Sequence, residues 1–169
     1  MKALITSAGK GTRLEHLTHV TNKGLIKVGK VTLLEHTISA LNGYGINEIY
    51  IITGHHYANV EKKMKGKAKC IYNPFYSVSG IIASIWFAKN YLQGQKFIFT
   101  PCDHIFHPKL LENCLNAKED IVVSVEKKEC DLINCSYPPG SLGQIFGFQG
   151  HTIIEGNLLF PRIEYINHS

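Results

Sequence analysis

The chain has 169 residues, of which 44% are apolar and 18% charged, with a formal net charge of +5. This is enough for one domain with a buried core, and it excludes an intrinsically disordered chain. The mild positive charge suits an anionic ligand such as a nucleotide; nucleic-acid binding is a minor alternative, because the densest lysine run, over residues 62–69, reads as a solvated helix end and loop.

Residues 3–5 are a short apolar run that predicts a buried strand, too short for a signal peptide. No stretch is long enough to span a bilayer. The strand runs into Ser7, Ala8, Gly9, Lys10, Gly11, Thr12 and Arg13. Two glycines let the backbone approach a ligand closely, and successive N–H groups in such a turn form an anion nest. Arg13 and Arg162 are the only arginines. A guanidinium in a glycine turn is placed to grip a phosphate through two parallel bonds. The stretch fits neither a P-loop, since Leu4 stands where the first glycine is needed, nor a dinucleotide loop, since Leu14 takes the third glycine position. A plain tight turn between strand and helix is the bland alternative.

Residues 18–29 read as irregular and contain Lys23, whose ammonium can neutralise phosphate charge; a surface lysine is the default reading. Helices are expected over 31–41, 56–65, 79–91 and 108–115, and strands over 48–53, 68–72, 97–100 and 121–125. This alternation predicts an α/β fold, a three-layer Rossmann-like, mostly parallel sheet with helices on both faces. Ligands bind such sheets at the carboxyl ends of the strands. The Gly9 turn, the residues after Tyr72 and the turn at Asp103 should therefore share one edge. Asp103 is one of three aspartates, with Asp120 and Asp131. A carboxylate there can hold magnesium alongside substrate phosphates, or can simply cap a turn.

Beyond residue 126 the alternation weakens. Segments 144–148 and 152–155 form a possible hairpin, and 158–169 has no clear pattern and reads as fraying or as a terminal strand. A single domain is expected over residues 1–169. The five cysteines form no C-x-x-C pair, which predicts reduced thiols in a cytoplasmic protein rather than a zinc site or disulfide framework.

The run A-G-K-G-T-R-L resembles the A-G-x-G-T-R-L signature of nucleotidyltransferases of the sugar-nucleotide pyrophosphorylase and MobA-like NTP transferase superfamily. In that family P-K-x-L-x-x-V-x-G-x-x-L-L-E follows; here Asn22 stands in the proline's place, then Lys23, Leu25, Val28 and Leu33-Leu34-Glu35. Asn73, Tyr76, Ser79 and Ser84 resemble a segment of choline-phosphate cytidylyltransferases. The T-P-C-D-H-I-F stretch resembles the G-D-H-[IV]-[FY] of inositol-phosphate cytidylyltransferases, with Cys102 in the glycine's place. The resemblance covers about residues 1–125, and it implies a nucleotide-binding core over 1–126 and a shortened acceptor-side portion over 127–169. It implies transfer of a nucleoside monophosphate from an NTP, CTP or UTP with CTP preferred, to a phosphorylated alcohol or sugar, with release of pyrophosphate. It implies that Ala8, Gly9, Lys10, Gly11, Thr12, Arg13, Asn73, Tyr76, Ser79 and Ser84 bind the nucleotide, that Arg13 and Lys23 are catalytic, and that Asp103 holds Mg2+. The family places magnesium between two aspartates, and no second aspartate here has a matching context; Glu155 and Glu164 are possible substitutes. A degenerate or truncated nucleotide-binding module is the alternative.

Overall fold

In the computed structural model the described residues are 1–118, 121–126, 152–154 and 163–168. The apolar run at the N-terminus forms the central strand β1 (Lys2–Ser7), in which Ala3, Leu4 and Ile5 are fully buried. It lies parallel between β4 (Glu48–Thr53) and β6 (Phe97–Pro101), and β5 (Lys69–Tyr72) extends the sheet beyond β4. The side chains alternate between two cores, as a pleated strand covered on both faces requires. Ala3, Ile5, Ile49, Ile51 and Ile98 face Leu34, Ile38 and Leu41 of α2 (Leu33–Gly43), Val60 and Met64 of α3 (Tyr57–Met64), and Leu111 of α6 (Pro108–Asn116). Leu4, Tyr50, Ile52, Phe97 and Phe99 face Ile85 of α4 (Ile81–Phe87), Leu92 of α5 (Lys89–Leu92), and Ala88 between the two helices. The expected three-layer α/β arrangement is thus present.

The order β5-β4-β1-β6 means that the chain builds outward from β1 on one side and then returns to its other side. That reversal leaves a crevice at the carboxyl ends of β1 and β6, the topological switch point of an open sheet. Beyond β6 the sheet continues with β8 (Thr152–Ile154), β7 (Ile121–Glu126) and β9 (Ile163–His168). β8 runs antiparallel to both neighbours, and β9 parallel to β7. The expected strand partner over 144–148 lies outside the described residues, as do Asp120, Asp131 and Glu155.

Two helix boundaries differ from expectation. Val31 and Thr32 are not helical: they form β3 (Val31–Thr32), which pairs with β2 (Lys27–Val28) across Gly29 at φ +66. The helix begins at Leu33 because Thr32 caps it, its hydroxyl accepting from the Glu35 N–H while the Glu35 carboxylate accepts from the Thr32 N–H. Such a capping box contributes about 1 kcal/mol. The helix expected over 79–91 is divided. Ser79 stays outside it because its N–H donates to the Phe75 carbonyl, and the chain tightens at the fully buried Ala88, whose N–H donates to the Ile85 carbonyl, separating α4 from α5. Among the described residues no helix is long and apolar enough to cross a membrane, and Cys70, Cys102 and Cys114 are unpaired thiols.

Candidate functional site

A cavity of about 470 Å³ opens at the switch point. Its floor is the carboxyl ends of β1 and β6, at Thr6, Ser7, Pro101, Cys102 and Asp103. Gly9, Gly11, Thr12 and Leu14 form one wall, Asn22 and Lys23 a second, and Ile81 at the start of α4 a third. The volume lies in the range that holds a small-molecule ligand.

The glycine wall is built for close approach. Gly11 sits at φ +66, and a Cβ there would meet Thr18 Cγ2 at 2.8 Å, so the turn needs glycine on both counts. A Cβ on Gly9 would meet nothing within 4 Å. Among the described residues no partner takes the backbone N–H of Gly9, Lys10, Gly11 or Thr12. These are the free donors that an anion nest requires. Thr12, Arg13 and Leu14 follow in a short 3-10 turn; the Arg13 side chain lies outside the described atoms. Lys10 is exposed and is not part of the cavity lining. Ala8 is buried behind the wall, and its carbonyl accepts from the His55 N–H at 2.9 Å.

Lys23 and Asp103, 80 residues apart, meet across the cavity mouth, the Lys23 Nζ donating to Asp103 Oδ2. Each side chain keeps about a third of its surface accessible, 32% and 30%. Burial works against charge on Asp103, and the Lys23 ammonium outweighs it, holding the carboxyl below its usual range. Asp103 is therefore ionised at neutral pH. Beneath it, burial pushes the Cys102 thiol up to about 11, so this sulfur is protonated and a poor nucleophile.

Asn22, the residue in the proline's place, fixes the loop that carries Lys23. It is 1% exposed. Its Nδ2 donates to the carbonyls of Ser7 (2.7 Å) and His55 (2.8 Å), and its Oδ1 accepts from Ser7 Oγ (2.5 Å) and the Gly24 N–H (2.9 Å). A Cβ on Gly24 would meet Ser7 Oγ at 2.7 Å and Leu34 Cγ at 2.8 Å, so this loop also lies hard against the strand end. Chain order alone carries little of this, because the partners lie up to 33 residues away. What is visible is a short polar side chain before a turn, a common capping position.

The segment after β5 behaves otherwise. Asn73 is fully buried, and its Oδ1 accepts from the Phe75 N–H (2.8 Å) while its Nδ2 donates to Ser79 Oγ (3.0 Å) and Ser84 Oγ (3.1 Å). Tyr76 packs into the second core and against Gly54, where a Cβ would meet Tyr76 Cβ at 2.5 Å. None of Asn73, Tyr76, Ser79 and Ser84 lines the cavity. The Asn73 amide makes its hydrogen bonds inside the chain, whereas Tyr76 and Ser79 are half-buried; the structure does not bring these four residues to the cavity beside the glycine turn. Through Ser79 and Ser84, Asn73 is tied to the start of α4, where Ile81 reaches the cavity.

No described cluster of three or more His, Cys, Asp or Glu side chains forms a closed metal site. Glu164 stands in the edge strand β9 in register with Val122, three strands from β6, a lateral offset of about 14 Å. It is not a companion to Asp103.

Residues 3–166 match the MobA-like NTP transferase domain family. The chain is 28% identical over 141 residues to a CTP:phosphoglutamine cytidylyltransferase of Campylobacter jejuni, covering 78% of this chain and 55% of that protein. It is 30% identical over 131 residues to a choline-phosphate cytidylyltransferase of Streptococcus pneumoniae, covering 77% and 56%. The solved inositol-1-phosphate CTP transferase of T. maritima superposes with a TM-score of 0.63 at 19% identity, over 76% of this chain and 54% of that one, which is a likeness of fold. The chain spans a little over half the length of the two curated relatives.

Proposed function

This chain belongs to the MobA-like NTP transferase domain family, and we propose that it transfers a nucleoside monophosphate from an NTP to a phosphorylated small molecule. One observation supports this above the rest: free loop amides, a lysine and an ionised aspartate surround one cavity at the sheet's switch point. CTP is the preferred donor because the two relatives described above are named as cytidylyltransferases. A phosphorylated alcohol is the preferred acceptor, with a sugar phosphate and UTP as the other combination.

In this reading an acceptor phosphate oxygen attacks the α-phosphorus, the bond to the bridging oxygen breaks, and pyrophosphate leaves. The protein's part is alignment and charge neutralisation. The N–H groups of Gly9 to Thr12, with Arg13, hold the β- and γ-phosphates. Lys23 neutralises the α-phosphate or the acceptor phosphate. Asn73, Tyr76, Ser79 and Ser84 act as the frame beneath α4.

The donor set fits magnesium, an ion that takes one or two carboxylates and completes its shell with phosphate oxygens and water. Asp103 would hold it. When bound, it supplies positive charge against the oxygens of the transferring group. The chain is read as one domain in which residues 1–126 carry the nucleotide site. A soluble, cytoplasmic setting is proposed from the thiols and the nucleotide ligand.

A non-catalytic nucleotide-binding module is the second reading. It is favoured by Asp103 being the lone carboxylate of the cavity among the described residues. A pyrophosphate-release screen of the four NTPs against phosphorylated acceptors, with magnesium, separates the two. Release that requires one NTP and one acceptor supports transfer. Saturable nucleotide binding without release for any acceptor supports the module.

A further inference from the structure

The wall of the cavity has little apolar anchorage. Lys10, Thr12, Leu17, His19 and Val20 are exposed, with Val20 at 78%, so the path of residues 8–22 rests on hydrogen bonds. Many of these converge on His55 and His56, in the turn after β4. The His55 N–H donates to the Ala8 carbonyl, and the His55 carbonyl accepts from Asn22 Nδ2. The His55 ring nitrogen Nε2 lies 3.3 Å from the Thr18 carbonyl, and His56 Nε2 lies 3.1 Å from the His19 carbonyl. A carbonyl only accepts, so both Nε2 atoms carry the proton. Thr18 ends the one-turn helix α1 (Glu15–Thr18), and terminal carbonyls of a helix have no partner within it. The two imidazoles therefore cap this helix from a distant part of the chain.

Thr18 passes the constraint to the glycine turn. Its Oγ1 donates to the Gly11 carbonyl at 3.0 Å, and its methyl is the atom that a Cβ on Gly11 would strike. The turn that carries the imidazoles is held in its own place. Gly54 is packed so tightly that a Cβ would meet the Ala8 carbonyl oxygen at 2.6 Å. His56 sits at φ 53, alone among described non-glycine residues at positive φ. That conformation is strained for a residue with a Cβ and persists where surrounding contacts over-determine it. The His55 and His56 rings lie 4.0 Å apart, and Tyr76 closes the far side with its ring 6.2 Å from His55.

We propose that His55 and His56 are positioning residues for the phosphate-binding turn: they clamp the end of α1, and through Thr18 they set the backbone of Gly9 to Thr12. What the turn binds rests on the nucleotide reading above; the clamp itself does not. The test combines amide hydrogen exchange across residues 8–22 with titration of Mg–CTP, on the full chain. His55→Phe keeps a ring and removes the donor. Exchange over 14–19, where the amides have partners, should rise about tenfold or more while β4 and α6 stay unchanged, and CTP affinity should fall about tenfold. His55→Gln retains an N–H donor and should recover most of both. If His55→Phe fails to fold, Thr18→Val removes the hydroxyl bridge at constant shape and should give the same local pattern. Unchanged exchange over 14–19 in these variants, or no recovery with Gln, overturns the clamp. A wild-type chain that binds no triphosphate overturns the nucleotide reading alone, and locally raised exchange then still supports the clamp.

Discussion

Two groups of polar residues sit at the same sheet edge, and the structure uses them in opposite ways. Lys23 and Asp103 stand at the cavity with about a third of each side chain accessible. Asn73, Ser79 and Ser84 stand after β5, which β4 separates from β1, with Asn73 fully buried and its amide committed to the backbone and two hydroxyls. Both groups follow strands, and both sit in motif-like contexts. The difference is whether polar atoms are left over once the fold has taken what it needs. Lys23 has several donors and Asp103 a second oxygen, whereas Asn73 is satisfied on both sides of its amide.

The largest expected effect lies on the buried side. Asn73→Ala removes the acceptor for the Phe75 N–H and leaves the buried Ser84 hydroxyl short of a partner. Stability should fall by about 3 kcal/mol, read from denaturant midpoints at constant m. CTP affinity of the folded fraction should change little. A variant with wild-type stability but lost affinity would invert the comparison and return Asn73 to the ligand.

On the cavity side the signs reverse. Asp103→Asn should cost under ~1 kcal/mol of stability, because the pair it breaks is part-exposed. Magnesium-dependent CTP affinity should fall about thirtyfold, ~2 kcal/mol. Calorimetric titration with and without magnesium measures this. Affinity indifferent to both the ion and the substitution would remove the metal role and leave only the amide turn.

Arg13→Lys probes the same wall with a smaller expected effect. Charge is kept and the planar fork is lost, so CTP affinity should fall by about tenfold, ~1.4 kcal/mol. Equal affinity in both proteins would assign Arg13 to the solvated surface.

Much of the fold was legible because it depends on local periodicity. The runs at 3–5, 48–53 and 97–100 are apolar enough to mark buried parallel strands, and their alternation with helices fixes the switch point at which Gly9 and Asp103 meet. Long-range partners were not legible. The contacts of Asn22 with His55, and of the His55 ring with Thr18, span 33 and 37 residues, and no spacing rule announces them. The break at Ala88 was hidden for a related reason: it follows from burial against the sheet, whereas the residues of 79–91 all tolerate a helix. One missed device was local. Thr32-x-x-Glu35 is a capping-box pattern that places the start of α2 at Leu33.

Glu35 also supplies the control for Asp103, because it is a paired carboxylate outside the lining of this cavity. It accepts from Lys67 at 2.7 Å and Lys63 at 3.2 Å as well as from Thr32. Lys67 is the main cause of its lowered pKa, and the Thr32 N–H adds to it; together they hold the carboxyl far below its ordinary value of 4.5. A group depressed in the folded state stabilises the protein fully above its unfolded pKa, and that contribution is lost as pH falls through the folded value. Glu35→Gln keeps an acceptor for the cap and removes the charge. Both lysines are nearly half exposed, so the loss at pH 7 should be only ~0.5 kcal/mol. The difference from wild type should shrink below about pH 4.5 and vanish in strong acid, where neither side chain is charged. Thermal melts from pH 7 to pH 2 follow this convergence. CTP affinity at pH 7 should match wild type, since this ion pair stands away from the cavity. A Glu35→Gln protein that binds CTP as weakly as Asp103→Asn would mean that carboxylates act on the ligand through net charge alone, and the distinction between cavity and frame would fail.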